Sequence, residues 1–218
     1  MLHEDEEYLV CDLCRIKAIR FGEFRLKSGI LSPFYIDLRR LISYPMVLQA
    51  VAVRLLAVLE GLTFRRMAGI PYAGLPIATA ISLASKIPGI PMIYARKEAK
   101  GHGTDRIIEG EFNPGETVVL VDDVISDGAS KCESAQPMTD AGLVVRDVVV
   151  LLDRETGGAE ILKQKGFTLH SALRITDVLA YLESIGQLEA DTHTLCRDFI
   201  TKIRQEAMQK SQELTGKK

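Results

Sequence analysis

The sequence predicts an α/β fold with a mostly parallel central sheet flanked by helices, and three observations predict it. Apolar runs of strand length alternate with runs of helical periodicity along most of the chain. One of them, TVVLVDD at 117–123, is continuously apolar up to its acids, as in a strand buried on both faces. Helical crossovers between such strands make neighbours parallel and place helices on both faces of the sheet.

Taken in order, YLVCDLCRIKAI at 8–19 reads as a helix and FYIDL at 34–38 as a short strand. PMVLQAVAVRLLAVLEG at 45–61 is a helix opened by Pro45 and closed by Gly61. The strand RMAGI, the turn PYAGLP, the helix IATAISLAS and the strand PMIYA follow between 66 and 95. After a polar stretch comes the strand at 117–123, then a helix from about Ser130 to Ala141, the strand VRDVVVLLD at 145–153 and a short helix near Ala159 to Lys165. From Ile185 the chain is rich in Glu, Gln, Lys and Arg, which predicts a solvated helix frayed at SQELTGKK. No internal repeat or second domain is visible, so 1–218 is expected to be one domain with a helical tail from about 185.

Composition narrows the function classes. With 218 residues, 47% hydrophobic and 26% charged, the chain can bury a core. Its net charge of -2 argues against broad binding to a nucleic-acid backbone. No apolar run approaches the roughly 20 residues of a membrane span, and the start, MLHEDEEYLV, is acidic where a secretory signal would be basic. A cytoplasmic protein is expected. Cys11 and Cys14 form a CxxC, but Cys132 and Cys196 supply no second pair, so a semi-buried helix face explains them better than a zinc knuckle or disulfide.

The chemistry concentrates in ETVVLVDDVISDGASK at 116–131. In an open parallel sheet, ligands bind beyond the carboxyl ends of strands. There Asp122 and Asp123 are expected at the tip of a strand spanning Val118–Val121, with Ser126 to Ser130 wrapping into the next helix. A turn of glycine and hydroxyls before a helix presents N–H groups and a positive dipole end to a phosphate. The two carboxylates repel that phosphate, so they must face sugar hydroxyls, a metal or a developing cation. A ligand with a terminal phosphate, a ribose and a metal-bound leaving group meets all these demands. The stretch is not a nucleotide P-loop, since GK[ST] is missing, nor a dinucleotide GxGxxG turn. A second signal is RKEAKGHGTDRIIEG at 96–110, where Arg96, Lys97, Lys100, His102 and Arg106 lie among three glycines. Its composition fits either a solvated charge run or a mobile cationic loop.

VVLVDDVISDGAS resembles the phosphoribosyl pyrophosphate motif of type I phosphoribosyltransferases. RFGEFRLKSGILSPFYIDLR at 20–39, GIPYAGLPIAT at 69–79 and RKEAKGHGTDRIIEGEF at 96–112 are similar to orotate phosphoribosyltransferase, with the PYAGLPIAT form of the orotate domain of bifunctional uridine monophosphate synthases. The likeness runs from about Ala18 to Arg154, and with one domain read along the chain no fused decarboxylase is expected. It implies the type I fold with an N-terminal hood and a mobile catalytic loop. It also implies transfer of phosphoribosyl from 5-phosphoribosyl 1-pyrophosphate (PRPP) to orotate, giving orotidine 5-monophosphate and pyrophosphate for pyrimidine synthesis. Magnesium held mainly through PRPP, with no protein ligand assigned, and a homodimer with shared active sites go with it.

The resemblance also distributes roles. Lys100, His102, Asp122 and Asp123 are the expected catalytic residues. PRPP contacts fall to these four and to Tyr72, Ala73, Arg96, Lys97, Val124, Ile125, Ser126, Asp127, Gly128, Ala129 and Ser130. Orotate contacts fall to Lys27, Phe34, Tyr35, Ser126 and Arg154, with the two aromatic rings flanking the base and the Arg154 fork on its carboxylate. Two positions depart from the family pattern. Asp127 stands where small neutral residues are usual and is expected to point away from the phosphate, and Ser126 replaces threonine. Two other readings remain open on the sequence: transfer to a different nucleobase, and a non-catalytic PRPP-sensing regulator.

Overall fold

The structure, a computed structural model, describes residues 2–26, 29–85, 89–96 and 107–215. Helix α1 (Glu4–Arg15) leads into the hairpin β1 (Ile19–Arg25) and β2 (Leu31–Ile36). After a 3-10 turn at Leu38–Ser43 the chain continues through α2 (Pro45–Leu59), β3 (Arg66–Gly69), α3 (Gly74–Ala84) and β4 (Met92–Ala95). Then come β5 (Ile108–Glu109), β6 (Thr117–Ile125), α4 (Ala129–Asp140), β7 (Val144–Asp153) and α5 (Gly158–Gln164). The last elements are β8 (Thr168–Arg174), α6 (Ile175–Ser184) and α7 (Ala190–Thr215).

Among the described residues the main sheet runs β5-β4-β3-β6-β7-β8, parallel throughout except for the short edge strand β5. The expected fold class is the observed one. β6 lies at its centre with β7 beside it, and their apolar runs are buried on both sides as the continuous pattern demands. Val119, Val121 and Val149 pack with α1, α2, α3, α6 and α7 on one face, while Val118, Leu120, Val148 and Val150 pack with α4 and α5 on the other. The β1–β2 hairpin stands apart as its own antiparallel pair.

Several boundaries differ from the sequence reading. Residues 16–19 leave α1 and enter the hairpin, because Lys17 takes a positive φ of 58° that ends the helix. α3 starts three residues earlier than expected, at Gly74. β8 and α6 were not anticipated. The alternation in TLHSALR is diluted by His170 and Ser171, and this strand is an edge with a half-exposed start. The tail is a helix as expected and most of it is exposed, but one stripe packs inward, with Cys196 and Ile200 buried and Phe199 against the core.

Candidate active site

The site lies where the sheet order switches direction. From β3 the chain crosses to β4 on one side, then returns to place β6 on the other, so the carboxyl ends of β3 and β6 open a crevice between them. Close approach across it is enforced by glycine. A Cβ on Gly74 would stand 2.4 Å from the carbonyl oxygen of Val121 and 3.2 Å from Asp122 Oδ1, so only glycine lets the 71–74 turn lie against the acids. This brings Ala73 and the exposed Tyr72 to the crevice mouth.

The acids do not emerge at a strand tip. β6 continues through Ile125, so Asp122 and Asp123 are strand residues and are buried, at 6% and 9% exposure. The reason is register: Asp122, Val124 and Ile125 still pair with Val150, Leu152 and Asp153 of β7. Buried carboxylates need partners. Asp122 Oδ1 accepts the N–H of Asp123 at 2.9 Å, and Asp122 Oδ2 accepts Lys131 Nζ at 2.7 Å. Asp123 Oδ1 accepts the N–H of Val124 at 2.8 Å, and among the described residues no cation forms an ion pair with it. Burial, and then the charge of Asp122, push the Asp123 carboxyl up to about 7.

The turn from Ser126 to Ser130 enters α4 through Gly128, whose φ of 77° and contact with the 158–162 segment exclude a side chain. Asp127 is a correction to the sequence reading. It does not turn away from the cradle, because its Oδ1 accepts the N–H of Ala129 at 3.0 Å, the local bond that Asp makes two residues on. One amide expected to face a phosphate is therefore engaged by a carboxylate.

Beside this turn sits Arg154, directly after β7, with its N–H donating to the Ile125 carbonyl. Its Nη1 donates to Ser126 Oγ at 3.0 Å, and its guanidinium lies 5.4 Å from the centre of the Phe34 ring. Nε is buried with no hydrogen-bond partner, and no carboxylate pairs with Arg154 among the described residues. Burial accordingly lowers its pKa. Phe34, wholly buried, meets Phe199 of α7 edge to face at 5.8 Å. Tyr35 does not join it. Successive strand residues face opposite ways, and Tyr35 instead packs on Phe24 at 5.5 Å and under Arg20. The two rings thus do not flank one ligand, and Phe34 serves as the floor of Arg154.

Arg96 directly follows β4, its backbone N–H donating to the Ile107 carbonyl and its side chain 3.7 Å from Glu109. Lys27, Lys97, Lys100, His102 and Arg106 lie outside the described residues. Sequence reasoning missed four contributors: Lys131, Thr156, Gly158 and Phe199. Thr156 Oγ1 donates to the Ser126 carbonyl at 3.0 Å, and a Cβ on Gly158 would stand 2.7 Å from that same oxygen. The pattern RETGG after β7 carried a signal, two adjacent glycines where a loop must approach another backbone. Lys131 and Phe199 carried none, being a charge and an aromatic in helices.

Among the described residues, no three His, Cys, Asp or Glu side chains gather into a metal site. With both Asp122 oxygens engaged, the donor set fits a hard cation that arrives on phosphate oxygens and keeps its water.

No family model matches the chain. It is 43% identical over 194 residues to the uridine 5'-monophosphate synthase of Bos taurus, which covers 88% of this chain and 40% of that protein. The chain therefore spans about two fifths of that relative's length. It is 37% identical over 206 residues to the orotate phosphoribosyltransferase of Chlamydia caviae, covering 92% of this chain and 98% of that one. Among solved structures, the UMP synthase of Leishmania donovani superposes with a TM-score of 0.81 at 36% identity, over 90% of this chain and 42% of the other.

Proposed function

Because the chain belongs to the orotate phosphoribosyltransferase family, we propose that it catalyses the family reaction, the transfer of phosphoribosyl from PRPP to orotate with release of pyrophosphate. One observation carries this beyond membership. Arg154 is a half-buried guanidinium with a shielded Nε and no carboxylate partner among the described residues, laid on Phe34 and bonded to Ser126 of the phosphate turn. A desolvated cation in that state favours an anionic ligand, and a planar carboxylate matches its fork. Orotate carries such a group next to the ring nitrogen that must attack the sugar.

In this reading the turn 126–130 holds the 5-phosphate and places ribose C1 above β6. Orotate N1 attacks C1 on the face opposite the pyrophosphate, and its N–H proton passes to the departing pyrophosphate. The new C–N bond forms as the C–O bond breaks, and the leaving oxygen keeps the electron pair. Positive charge builds on the sugar in between, and the Asp123 carboxylate offsets it. Asp123 is ionised for this above about pH 7. Magnesium, brought by PRPP and its pyrophosphate, supplies charge neutralisation on the leaving group. Lys100 and His102 meet the departing pyrophosphate, from the neighbouring subunit of a homodimer. The setting is the cytoplasm; no described helix is long and apolar enough to cross a membrane.

The test is a panel of bases. Purified protein with PRPP and magnesium is expected to consume orotate, followed by its absorbance, and to leave uracil, hypoxanthine and adenine largely untouched. Equal use of another base would keep phosphoribosyl transfer and remove the orotate assignment. Binding of PRPP with no transfer to any base would favour a sensing role.

A further inference from the structure

Lys131 is a lysine in the first turn of α4 with 4% exposure, an unusual place for an ammonium group. Its three donors are all used: Nζ lies 2.7 Å from Asp122 Oδ2, 2.6 Å from the Val124 carbonyl and 3.3 Å from Ser130 Oγ. It thus ties the strand before the phosphate turn to the helix after it. Asp122 has its other oxygen on the Asp123 N–H, so each carboxylate oxygen already accepts a donor and the charge of Asp122 is balanced by Lys131. Moving Asp122 off Lys131 would strand a buried cation, which is costly.

We propose that Lys131 is a positioning residue for phosphoribosyl transfer: it locks Asp122 as a fixed counter-ion, so that of the two adjacent acids Asp123 alone meets the charge developing on the sugar. The proposal deepens the reading above and rests on it. The charged groups acting on Asp123 are Asp122 on its own strand and Lys131 on α4, while α3 presents Gly74, which has no side chain, against Asp122. Asp122 disfavours the ionised form of Asp123 and Lys131 favours it. Without Lys131, a bare Asp122 would hold the proton on Asp123 to higher pH and leave less of the catalytic carboxylate at neutral pH.

The experiment compares wild type, Lys131→Met and the double variant Lys131→Met with Asp122→Asn, each checked for folding by circular dichroism and thermal melting. Two readouts are taken: the acidic limb of kcat/KM against pH, and the carboxyl NMR titration of Asp123, which needs no turnover. Lys131→Met is expected to move the limb and the titration midpoint up by about one pH unit, and to lower kcat/KM near pH 6 about tenfold. The double variant, which removes both buried charges, is expected to bring the midpoint and limb back to within a few tenths of wild type. A folded Lys131→Met with an unmoved limb would overturn the proposal, as would a double variant that stays shifted. Should the double variant alone fold, its limb decides: a position near wild type supports the proposal, a shifted one overturns it. If wild type transfers nothing to orotate, the proposed function fails, and the titration still decides whether Lys131 sets the state of Asp123.

Discussion

Asp123→Asn separates what the acid does for the reaction from what it costs the fold. Asparagine keeps the shape and can still accept the Val124 N–H, but it cannot ionise. In the folded protein the carboxyl titrates at about 7, against an ordinary 3.8. The folded state therefore holds a proton that the unfolded chain releases between those values, so the unfolded chain binds fewer protons and stability falls as pH rises from about 4 to 7. At roughly 1.36 kcal/mol for each unit, the ionised group costs the fold on the order of 2–4 kcal/mol above pH 7. Urea unfolding at pH 8 is expected to show Asp123→Asn more stable than wild type by about that amount, with the difference gone by about pH 4. Orotate turnover in the same preparation is expected to fall on the order of a hundredfold, as when one charge-stabilising group is lost. A variant less stable than wild type at pH 8, or equally active, would refute the placement of a strained acid beside the sugar.

Two further outcomes follow from the same geometry. Phe199→Ala removes the edge that fixes Phe34 under Arg154, and is expected to lower stability by about 2–4 kcal/mol and to raise the KM for orotate several-fold while the KM for PRPP stays put, as measured by urea unfolding and by kinetics with each substrate varied. If sites are shared across a homodimer, mixing inactive Lys100→Ala with inactive Asp123→Asn restores up to about a quarter of wild-type activity, since half the dimers are mixed and each has one intact site. No recovery despite proven subunit exchange would place Lys100 in its own subunit's site.

The legible part of the fold was the part set by pattern. The apolar runs of β6 and β7 named a sheet buried on both faces, and VDDVISDGAS named the end of the strand where a phosphate and a sugar would lie. Strand limits were less legible, because pairing with β7 carries β6 on through Asp122 and Asp123 against their poor strand propensity. β8 was hidden by its polar edge character. Lys131 and Phe199 were illegible for another reason. A lysine in a helix or a phenylalanine in a charged tail says nothing of what lies across the interface, and only packing makes one a counter-ion and the other a buttress. Tyr35 shows the converse, since a likeness to a motif cannot say on which side of a strand a ring falls.

The central claim is that Arg154, half-buried and without a carboxylate partner among the described residues, takes the carboxylate of the base. The most direct test is the ratio of kcat/KM for orotate to that for uracil, measured in wild type and in Arg154→Ala. A buried guanidinium left without its anion is costly, so wild type is expected to prefer orotate by on the order of a thousandfold or more. Arg154→Ala is expected to collapse that ratio by losing orotate while any uracil reaction stays nearly unchanged. A ratio that survives the substitution, or losses equal for both bases, would contradict the account.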